Sequence, residues 1–176
     1  MIRIALPMSK QTVTTLKAGD CVLISGTILT ARDCAHKRIF ELLDSNKKLP
    51  FEVEGSVIFY AGPCPAKPDM VSGSCGPTTS SRMNTYAPRL IDFGLGAIIG
   101  KGEMSDEVRQ ALKRNKSIYF AAIGGAGALY ASCIKSSECI AFDDLLSEAV
   151  YRLEVEDFPA IVAYDSFGGS IYEKNS

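Results

Sequence analysis

The chain has 176 residues, of which 47% are hydrophobic and 22% charged, a composition typical of globular proteins that excludes general disorder. Its 19 basic and 20 acidic side chains nearly cancel, so charge gives no sequence-independent affinity for nucleic acid or for an anionic membrane. If the protein binds an anion, it does so with a few placed cations. We expect one domain spanning residues 1–176.

No apolar run reaches the roughly 18 residues that a membrane span requires, and the start MIRIALPMSKQT lacks the layout of a signal peptide. We therefore expect a cytoplasmic protein whose cysteines are reduced. The cysteines contain no C-x-x-C pair, so the sequence gives little support for a zinc or iron–sulfur site held by this chain alone. The six cysteines are Cys21, Cys34, Cys64, Cys75, Cys133 and Cys139.

Short runs of β-type residues dominate the first third of the chain. They predict strands at residues 2–6, 20–30 and 56–62. Gly26 interrupts the second run, which indicates a bulge or a bend. The segment TARDCAHKRIFELL then predicts a helix over residues 30–43, with Thr30 as its cap and Asp33 placed favourably in its first turn.

The rest of the chain alternates between predicted helices and strands. Helices are expected just after GPTTSS, over residues 106–114 behind a Ser105 cap, and over residues 128–134 after the turn GGAG. Strands are expected at residues 95–100, 117–123, 139–142, 150–155 and 160–165, with DSFGGS as a turn. The alternation predicts an α/β fold in which a β-rich first part is joined to a later β-α-β layer of parallel strands.

A row of hydroxyl side chains followed by an arginine marks GPTTSSRM, residues 76–83. If a helix begins near residue 79 or 80, its free backbone N–H groups and the hydroxyls of Thr78, Thr79 and Ser80 face one point. Arg82 lies one turn further on and can bind a carboxylate or phosphate with two parallel hydrogen bonds. The pattern predicts a small-anion site; an ordinary helix cap with a surface arginine is the alternative.

Three further positions carry side chains suited to anion binding or proton transfer. Lys101 follows an apolar strand and stands between two glycines, at the carboxyl end of a strand where α/β proteins bind ligands. In TARDCAHKR, Arg32 and His36 lie one turn apart on the predicted helix, with Asp33 in reach of His36. His36 is the only histidine and titrates near neutrality when unperturbed. A solvated turn lysine and a structural or exposed histidine are the alternatives.

The stretch AIGGAGALYASCI has a superficial likeness to a dinucleotide-binding loop, and Asp143 stands where a ribose-binding acid is expected. The third glycine of that motif is missing, because Leu129 and Tyr130 follow Gly127. A tight strand-to-helix turn accounts better for this stretch than nucleotide binding.

Four motifs, in this order and at these separations, resemble the β subunit of class I, iron–sulfur-dependent fumarate hydratase and the related β subunit of L(+)-tartrate dehydratase. They are TARDCAHKR, FYAGP, GPTTSSRM and IIGKGEM. The resemblance covers roughly residues 19–165, and in many bacteria the same unit is the C-terminal domain of a longer chain. Ser81 and Asn84 depart from the glycine and aspartate of many relatives, but neither departure removes an expected ligand-binding side chain.

The resemblance implies a swivelling β/β/α domain and a hydro-lyase of the tricarboxylic acid cycle that interconverts fumarate and (S)-malate. It implies a [4Fe-4S] cluster held by three cysteines of a partner α subunit, so the chain is expected to be active only in a hetero-oligomer. Cys64 and Cys75 lie close to the motifs but receive no cluster role.

The resemblance also assigns roles to individual residues. Substrate binding falls on Arg32, Arg82 and Lys101, with Thr79 expected beside them. His36 matches a histidine with a catalytic part in the tartrate enzyme, where a proton relay or orientation of Arg32 would fit its position. Thr78 matches the catalytic base proposed for the family. Because a threonine hydroxyl is a very weak base, it requires neighbouring cations to stabilise its ionised form.

Two alternatives to a fumarate hydratase subunit stay open. One is another dehydratase specificity, such as tartrate. The other is a non-catalytic module that holds a small anion or a protein.

Overall fold

The structure is a computed structural model that describes residues 1–173. Its strands are β1 (Ile2–Ala5), β2 (Cys21–Thr30), β3 (Val57–Phe59), β4 (Ala97–Gly100), β5 (Ile118–Ala121), β6 (Ile134–Ala141) and β7 (Val150–Tyr164). Its α-helices are α1 (Lys10–Thr15), α2 (Asp33–Asp44), α3 (Ala87–Asp92), α4 (Asp106–Asn115) and α5 (Gly127–Cys133). A 3₁₀ helix covers Ser80–Met83, and Asp143–Glu148 consists of 3₁₀ turns separated by a kink at Leu146. Within these residues, no helix is long and apolar enough to cross a membrane.

All seven strands belong to one sheet, in the order β1-β2-β3-β4-β5-β7-β6. Strands β1 to β5 pair in parallel with their neighbours, whereas β7 runs antiparallel to β5 and β6. Strand β7 also pairs antiparallel with β2. The sheet therefore closes into a ring, made by β2, β3, β4, β5 and β7. Outside this ring, β1 pairs with β2 and β6 pairs with β7.

Alternate residues of the central strands β3, β4 and β5 face two separate apolar clusters. In β3, Val57 and Phe59 join one cluster, which also contains Phe158 of β7, while Ile58 joins the other. The second cluster contains the buried faces of α2, α3 and α4. Because these strands are covered on both faces, their short sequences are almost wholly apolar, as parallel sheets require.

The predicted α/β class is confirmed, and so are several local predictions. Gly26 marks a register shift in the pairing of β2 with β7, at a backbone φ of +125°. The predicted helix at residues 106–114 is α4, which buries Val108, Ala111 and Leu112. Residues 165–170 form the predicted turn, in which the Asp165 carboxylate accepts hydrogen bonds from backbone N–H groups.

Thr30 does not cap the second helix, contrary to prediction. It is the last residue of β2, and its hydroxyl accepts a hydrogen bond from the backbone N–H of Tyr151 at 3.1 Å. Pairing with β3 keeps the chain extended through Thr30, so α2 begins only at Asp33, with Arg32 at its N-cap.

The tail and the segment after GPTTSS also differ from prediction. Residues 150–164 form the single strand β7 rather than two strands, because β2 pairs with both of its halves. Asp157, at a φ of +51°, and Pro159 lie within this strand. In the sequence, these two residues look like the end of one strand and the start of another. The β-rich and β-α-β parts therefore share one sheet. After GPTTSS, only a 3₁₀ turn forms at Ser80–Met83, and the next α-helix begins at Ala87.

Candidate functional site

The residues singled out in the sequence lie mainly at one edge of the sheet. Strands β2, β3, β4 and β5 are parallel, so their carboxyl ends lie at the same edge, which we call the carboxyl edge. Arg32 follows β2, residues 60–62 follow β3, Lys101 follows β4 and residues 122–124 follow β5. Ligand sites of α/β proteins commonly occupy this edge.

Residues 76–83, which we call the hydroxyl-rich segment, are fixed to the carboxyl edge by backbone hydrogen bonds. Thr78 N donates to the carbonyl of Tyr60 at 2.7 Å, and Thr79 forms a parallel bridge with Lys101. Ser80 N donates to the Lys101 carbonyl at 3.0 Å, and Lys101 N donates to Ser80 Oγ at 2.8 Å. Ser80 is thus used to join the segment to β4, which explains why it does not begin an α-helix.

Two arginines, two carboxylates and a threonine come together beside this segment, and we call Arg32, Asp33, Thr78, Arg82 and Glu148 the arginine cluster. Arg82 Nη2 donates to Thr78 Oγ1 at 2.5 Å and lies 3.2 Å from Asp33 Oδ2. Arg32 Nε lies 3.1 Å from Glu148 Oε1 and 3.7 Å from Asp33 Oδ2. The Arg32 and Arg82 side chains are 28% and 47% exposed, so the cluster is open to a ligand.

Some polar atoms of the arginine cluster are buried without a suitable hydrogen bond. Among the described residues, Arg32 Nε and Asp33 Oδ2 have no hydrogen-bond partner, although each lies near an opposite charge. The opposite charges are close, but the atoms are poorly aligned. Within residues 1–173, Arg32 Nε therefore donates no hydrogen bond and Asp33 Oδ2 accepts none.

Glu148 is a member of the cluster that no sequence motif singled out. It is the last residue of the kinked segment Asp143–Glu148, and its Oε2 accepts a hydrogen bond from the backbone N–H of Cys34 at 3.0 Å. Hydrogen bonding from Cys34, aided by the positive charges of Arg32 and Arg82, lowers the pKa of Glu148 below its ordinary value. No local pattern encodes a contact between residues 114 positions apart.

His36 lies beneath the arginine cluster and is fully buried. Its Nδ1 is 2.9 Å from the Arg32 carbonyl, which can only accept, so Nδ1 carries the proton. Its ring packs against Tyr60 and Tyr86 at centroid distances of 5.3 and 5.5 Å. Burial lowers the pKa of His36 to about 4, which keeps the ring neutral at physiological pH. The structure therefore joins His36 to the backbone of Arg32 rather than to its guanidinium.

The backbones of Thr79 and Lys101 pair with each other next to the arginine cluster. Thr79 is exposed and precedes the 3₁₀ helix without capping it through its side chain. The Lys101 side chain runs over Gly124, where an added Cβ would lie 3.2 Å from Lys101 Cδ. Of the six predicted site residues, Arg32, Thr78 and Arg82 are thus brought together most directly.

Cys64 and Cys75 lie on the loop that leads into the hydroxyl-rich segment. Cys64 is exposed, whereas Cys75 is buried and burial raises the pKa of its thiol to about 12. Over residues 1–173, no group of three or more His, Cys, Asp or Glu side chains is placed to hold a metal ion. The guanidinium groups of Arg32 and Arg82, next to the Thr78 hydroxyl, are suited to anion binding.

Asn84 and the GGAG turn have structural explanations. Asn84 Oδ1 accepts a hydrogen bond from Ser105 N at 3.1 Å, at the start of α4. A Cβ added to Gly127, at the start of α5, would lie 2.3 Å from Ser74 Oγ, so this glycine permits close packing between a loop and a short helix. These contacts agree with the interpretation of AIGGAGALYASCI as a tight turn.

The chain has clear similarity to known proteins. The family model described as Fumarase C-terminus matches residues 1–175. A Methanocaldococcus jannaschii protein provisionally named L(+)-tartrate dehydratase subunit beta is 45% identical, covering 95% of this chain and 89% of that protein. Fumarate hydratase 2 of Leishmania major and the anaerobic class I fumarate hydratase of Escherichia coli are each 39% identical, over 94% and 86% of this chain. The chain spans only 29% and 28% of those two proteins.

Proposed function

The chain belongs to the Fumarase C-terminus family, and on that premise we propose that it is the β subunit of an iron–sulfur hydro-lyase interconverting fumarate and (S)-malate. The observation that carries the proposal is the convergence of Arg32, Arg82 and Thr78 at the carboxyl edge. Relatives named fumarate hydratase and tartrate dehydratase support a hydro-lyase activity.

In this proposal the two arginines bind one carboxylate of a four-carbon diacid. Asp33 lies between the guanidinium groups, within 3.2 Å of Arg82 and 3.7 Å of Arg32, and so keeps both positive charges side by side. Guanidinium groups fixed in this way stabilise negative charge that develops on the substrate as a proton leaves. Lys101 and Thr79, joined by a backbone bridge, would complete the binding surface.

Thr78 is proposed to accept the proton from the carbon beside the bound carboxylate. In the dehydration direction, that C–H bond and the C–O bond to the hydroxyl group break, a C=C bond forms, and proton and hydroxide leave as water. The hydrogen bond that Arg82 donates to Thr78 Oγ1 supports this role, because a cation at this oxygen favours its ionised form.

His36 is proposed to position Arg32 rather than to relay a proton. Its neutral ring donates from Nδ1 to the Arg32 carbonyl, and it is fully buried. That contact holds the residue at the start of α2 from which the Arg32 side chain reaches the cluster. Of the two roles considered for His36, orientation of Arg32 is the one that its surroundings favour.

The described residues of this chain do not offer a ligand set for a [4Fe-4S] cluster. We therefore place the proposed cluster on a companion α subunit, where it would supply a Lewis acid for the substrate hydroxyl. No step assigned to this chain runs through it. We further propose that residues 1–176 form one cytoplasmic domain of the swivelling β/β/α type, of which residues 174–176 lie outside the described part.

The proposal is tested by replacing Thr78 or Arg82 with alanine in the assembled enzyme. Loss of the hydroxyl or of the guanidinium should lower kcat/KM for (S)-malate by about 100-fold or more, since both act on developing charge. Arg89→Ala is the matched control, because Arg89 pairs with Asp44 on the surface, and its rate should stay near that of the wild type. Near-normal turnover by both Thr78→Ala and Arg82→Ala would refute the assignment.

Tartrate is the second candidate substrate, and one comparison favours it specifically. The relative with 45% identity over nearly its whole length is provisionally named a tartrate dehydratase subunit beta. Fumarate, (S)-malate and L(+)-tartrate should therefore be assayed side by side with the assembled enzyme. The ratio of the kcat/KM value for L(+)-tartrate to those for fumarate and (S)-malate decides whether the enzyme is a tartrate dehydratase or a fumarate hydratase.

A further inference from the structure

An apolar depression lies beside the arginine cluster. It consists of two adjoining cavities of about 310 and 520 Å³, which share Cys64, Pro65, Val71 and Ser72 in their walls. Among the described residues that line it, only Lys67 carries a charge. A depression of this size and character is poorly suited to a small diacid, which needs cationic walls.

Large apolar side chains project into solvent around this depression. Met70 and Val71 are each 51% exposed and Leu146 is 74% exposed. All three line the depression: Met70 and Val71 come from one loop, and Leu146 comes from a distant part of the sequence. Soluble proteins rarely leave such clustered apolar surface uncovered, and a patch of this kind marks an interaction site.

The loop that carries Met70 and Val71 is fixed at its base. Cys64 N donates to the Ser74 carbonyl at 2.9 Å, and Gly73 N donates to the Cys64 carbonyl at 3.2 Å. Cys75 N donates to the carbonyl of Gly127 at 3.1 Å, which attaches the loop to α5. The exposed side chains are therefore presented by a preformed surface, which lowers the entropic cost of binding a partner.

The depression is continuous with the arginine cluster. Ser147 lines one of its cavities and directly precedes Glu148, whose Oε1 lies 3.1 Å from Arg32 Nε. Gly62 packs against the same point, since a Cβ added there would lie 2.3 Å from the Ser147 carbonyl oxygen and 3.2 Å from Arg32 Cδ. A molecule seated in the depression would therefore border the arginines.

We infer that the apolar depression is the docking surface for the companion polypeptide, the one corresponding to the part of class I fumarate hydratases that lies outside the region matched by this chain. The chain accounts for only 28–29% of two fumarate hydratases, so most of their length lies outside it. The relative that it covers to 89% is named as a subunit. This inference rests on the proposed function for the identity of the partner, and it adds the surface where that partner binds.

The test measures the affinity of the full chain for the purified companion polypeptide by isothermal titration calorimetry. Met70→Glu and Val71→Glu each place a charge in the depression and should weaken binding by about tenfold or more. Phe93→Glu is the matched control, because Phe93 is 50% exposed but precedes β4, away from the carboxyl edge; its affinity should not change. Circular dichroism establishes whether each variant is folded. If either Met70→Glu or Val71→Glu is not folded, the affinity of the other one decides the test.

Wild-type affinity in a folded Met70→Glu or Val71→Glu chain would overturn the inference. A dimer of the chain alone that Met70→Glu dissociates would overturn it too, because a second copy would then be the occupant. A wild-type pair that binds in a Met70-dependent way, yet turns over none of fumarate, (S)-malate and L(+)-tartrate, would support the surface and refute the proposed function instead.

Discussion

At the scale of single residues, the chain places its own carboxylates where a substrate carboxylate is proposed to bind. Glu148 lies 3.1 Å from Arg32, and Asp33 lies 3.2 Å from Arg82. Hydrogen bonding from Cys34 and the neighbouring arginines lower the pKa of Glu148, so it is ionised at neutral pH. A diacid approaching Arg32 must therefore compete with an internal anion.

Glu148→Gln should strengthen diacid binding to the isolated chain. Glutamine keeps the shape of the side chain and an oxygen for the Cys34 backbone N–H, but it removes the competing charge. The dissociation constant for (S)-malate, measured by NMR titration at low salt, should fall about two- to fivefold, as expected for a partly exposed ion pair worth about 0.4–1 kcal/mol.

Asp144→Asn is the control for this measurement. Asp144 lies in the same segment, Asp143–Glu148, but pairs with Arg38 at 2.6 Å, outside the arginine cluster. Its removal should leave malate binding unchanged. Weaker malate binding by Glu148→Gln would contradict the view that Glu148 competes with the ligand.

The burial of His36 predicts a pH dependence of stability. The pKa of His36 is lowered from 6.5 to about 4 in the folded chain, so between these values the unfolded chain binds a proton that the folded chain does not. The free energy of unfolding should therefore fall as pH decreases from 6.5 towards 4, by up to about 1.4 kcal/mol per pH unit from this group.

His36→Asn isolates this contribution, because asparagine can donate to the Arg32 carbonyl but does not titrate. Urea unfolding at pH 6.5, 5.8 and 5.0 should show a shallower loss of stability in the variant than in the wild type. The absolute stability of the variant does not enter the comparison. Equal slopes in the two proteins would show that His36 is not the group responsible.

At the scale of elements, the position of the hydroxyl-rich segment depends on a close contact with β4. A Cβ added to Gly100, the last residue of β4, would lie 2.0 Å from Ser80 Oγ. Ser80 Oγ also accepts a hydrogen bond from Lys101 N at 2.8 Å and lies within hydrogen-bonding distance of the Tyr119 hydroxyl, at 3.0 Å. The glycine therefore makes room for the serine that attaches the segment to the sheet.

Gly100→Ala should lower the free energy of unfolding by about 1–3 kcal/mol, the usual cost of overpacking. Adding Ser80→Ala removes the clashing oxygen, so the double variant should be less destabilised than the sum of the two single changes. Gly76→Ala is the control, since its Cβ would lie at an ordinary 3.5 Å from Gly127 Cα. Strict additivity of the two changes in chemical unfolding would argue against this contact.

Local sequence patterns predicted the elements whose signals are local. The apolar stripe and acidic first turn of α4 predicted that helix, and the glycine in the middle of β2 predicted its bulge. Other features depend on distant pairing: β7 stays one strand because β2 pairs with both of its halves. The segment after GPTTSS forms a 3₁₀ turn because Ser80 is bonded to Lys101, a contact that hydroxyl spacing does not predict.

At the scale of the whole molecule, the parallel order of β2 to β5 assembles the site. That order places the segments after four strands at one edge, so that motifs far apart in the chain meet there. The family resemblance, rather than spacing alone, predicted that Arg32, Thr78 and Arg82 lie together. The contact of Glu148 with Arg32 was not predicted, because it arises from the return of the chain between β6 and β7.

The central claim is that these residues form one half of a diacid site that a companion chain completes. It is tested most directly by assaying fumarate hydration, (S)-malate dehydration and L(+)-tartrate dehydration with the chain alone, the companion alone and the two together after anaerobic reconstitution of the cluster. We expect turnover only in the mixture. Turnover by the chain alone, or a stable and reconstituted pair that converts none of the three acids, would contradict the claim.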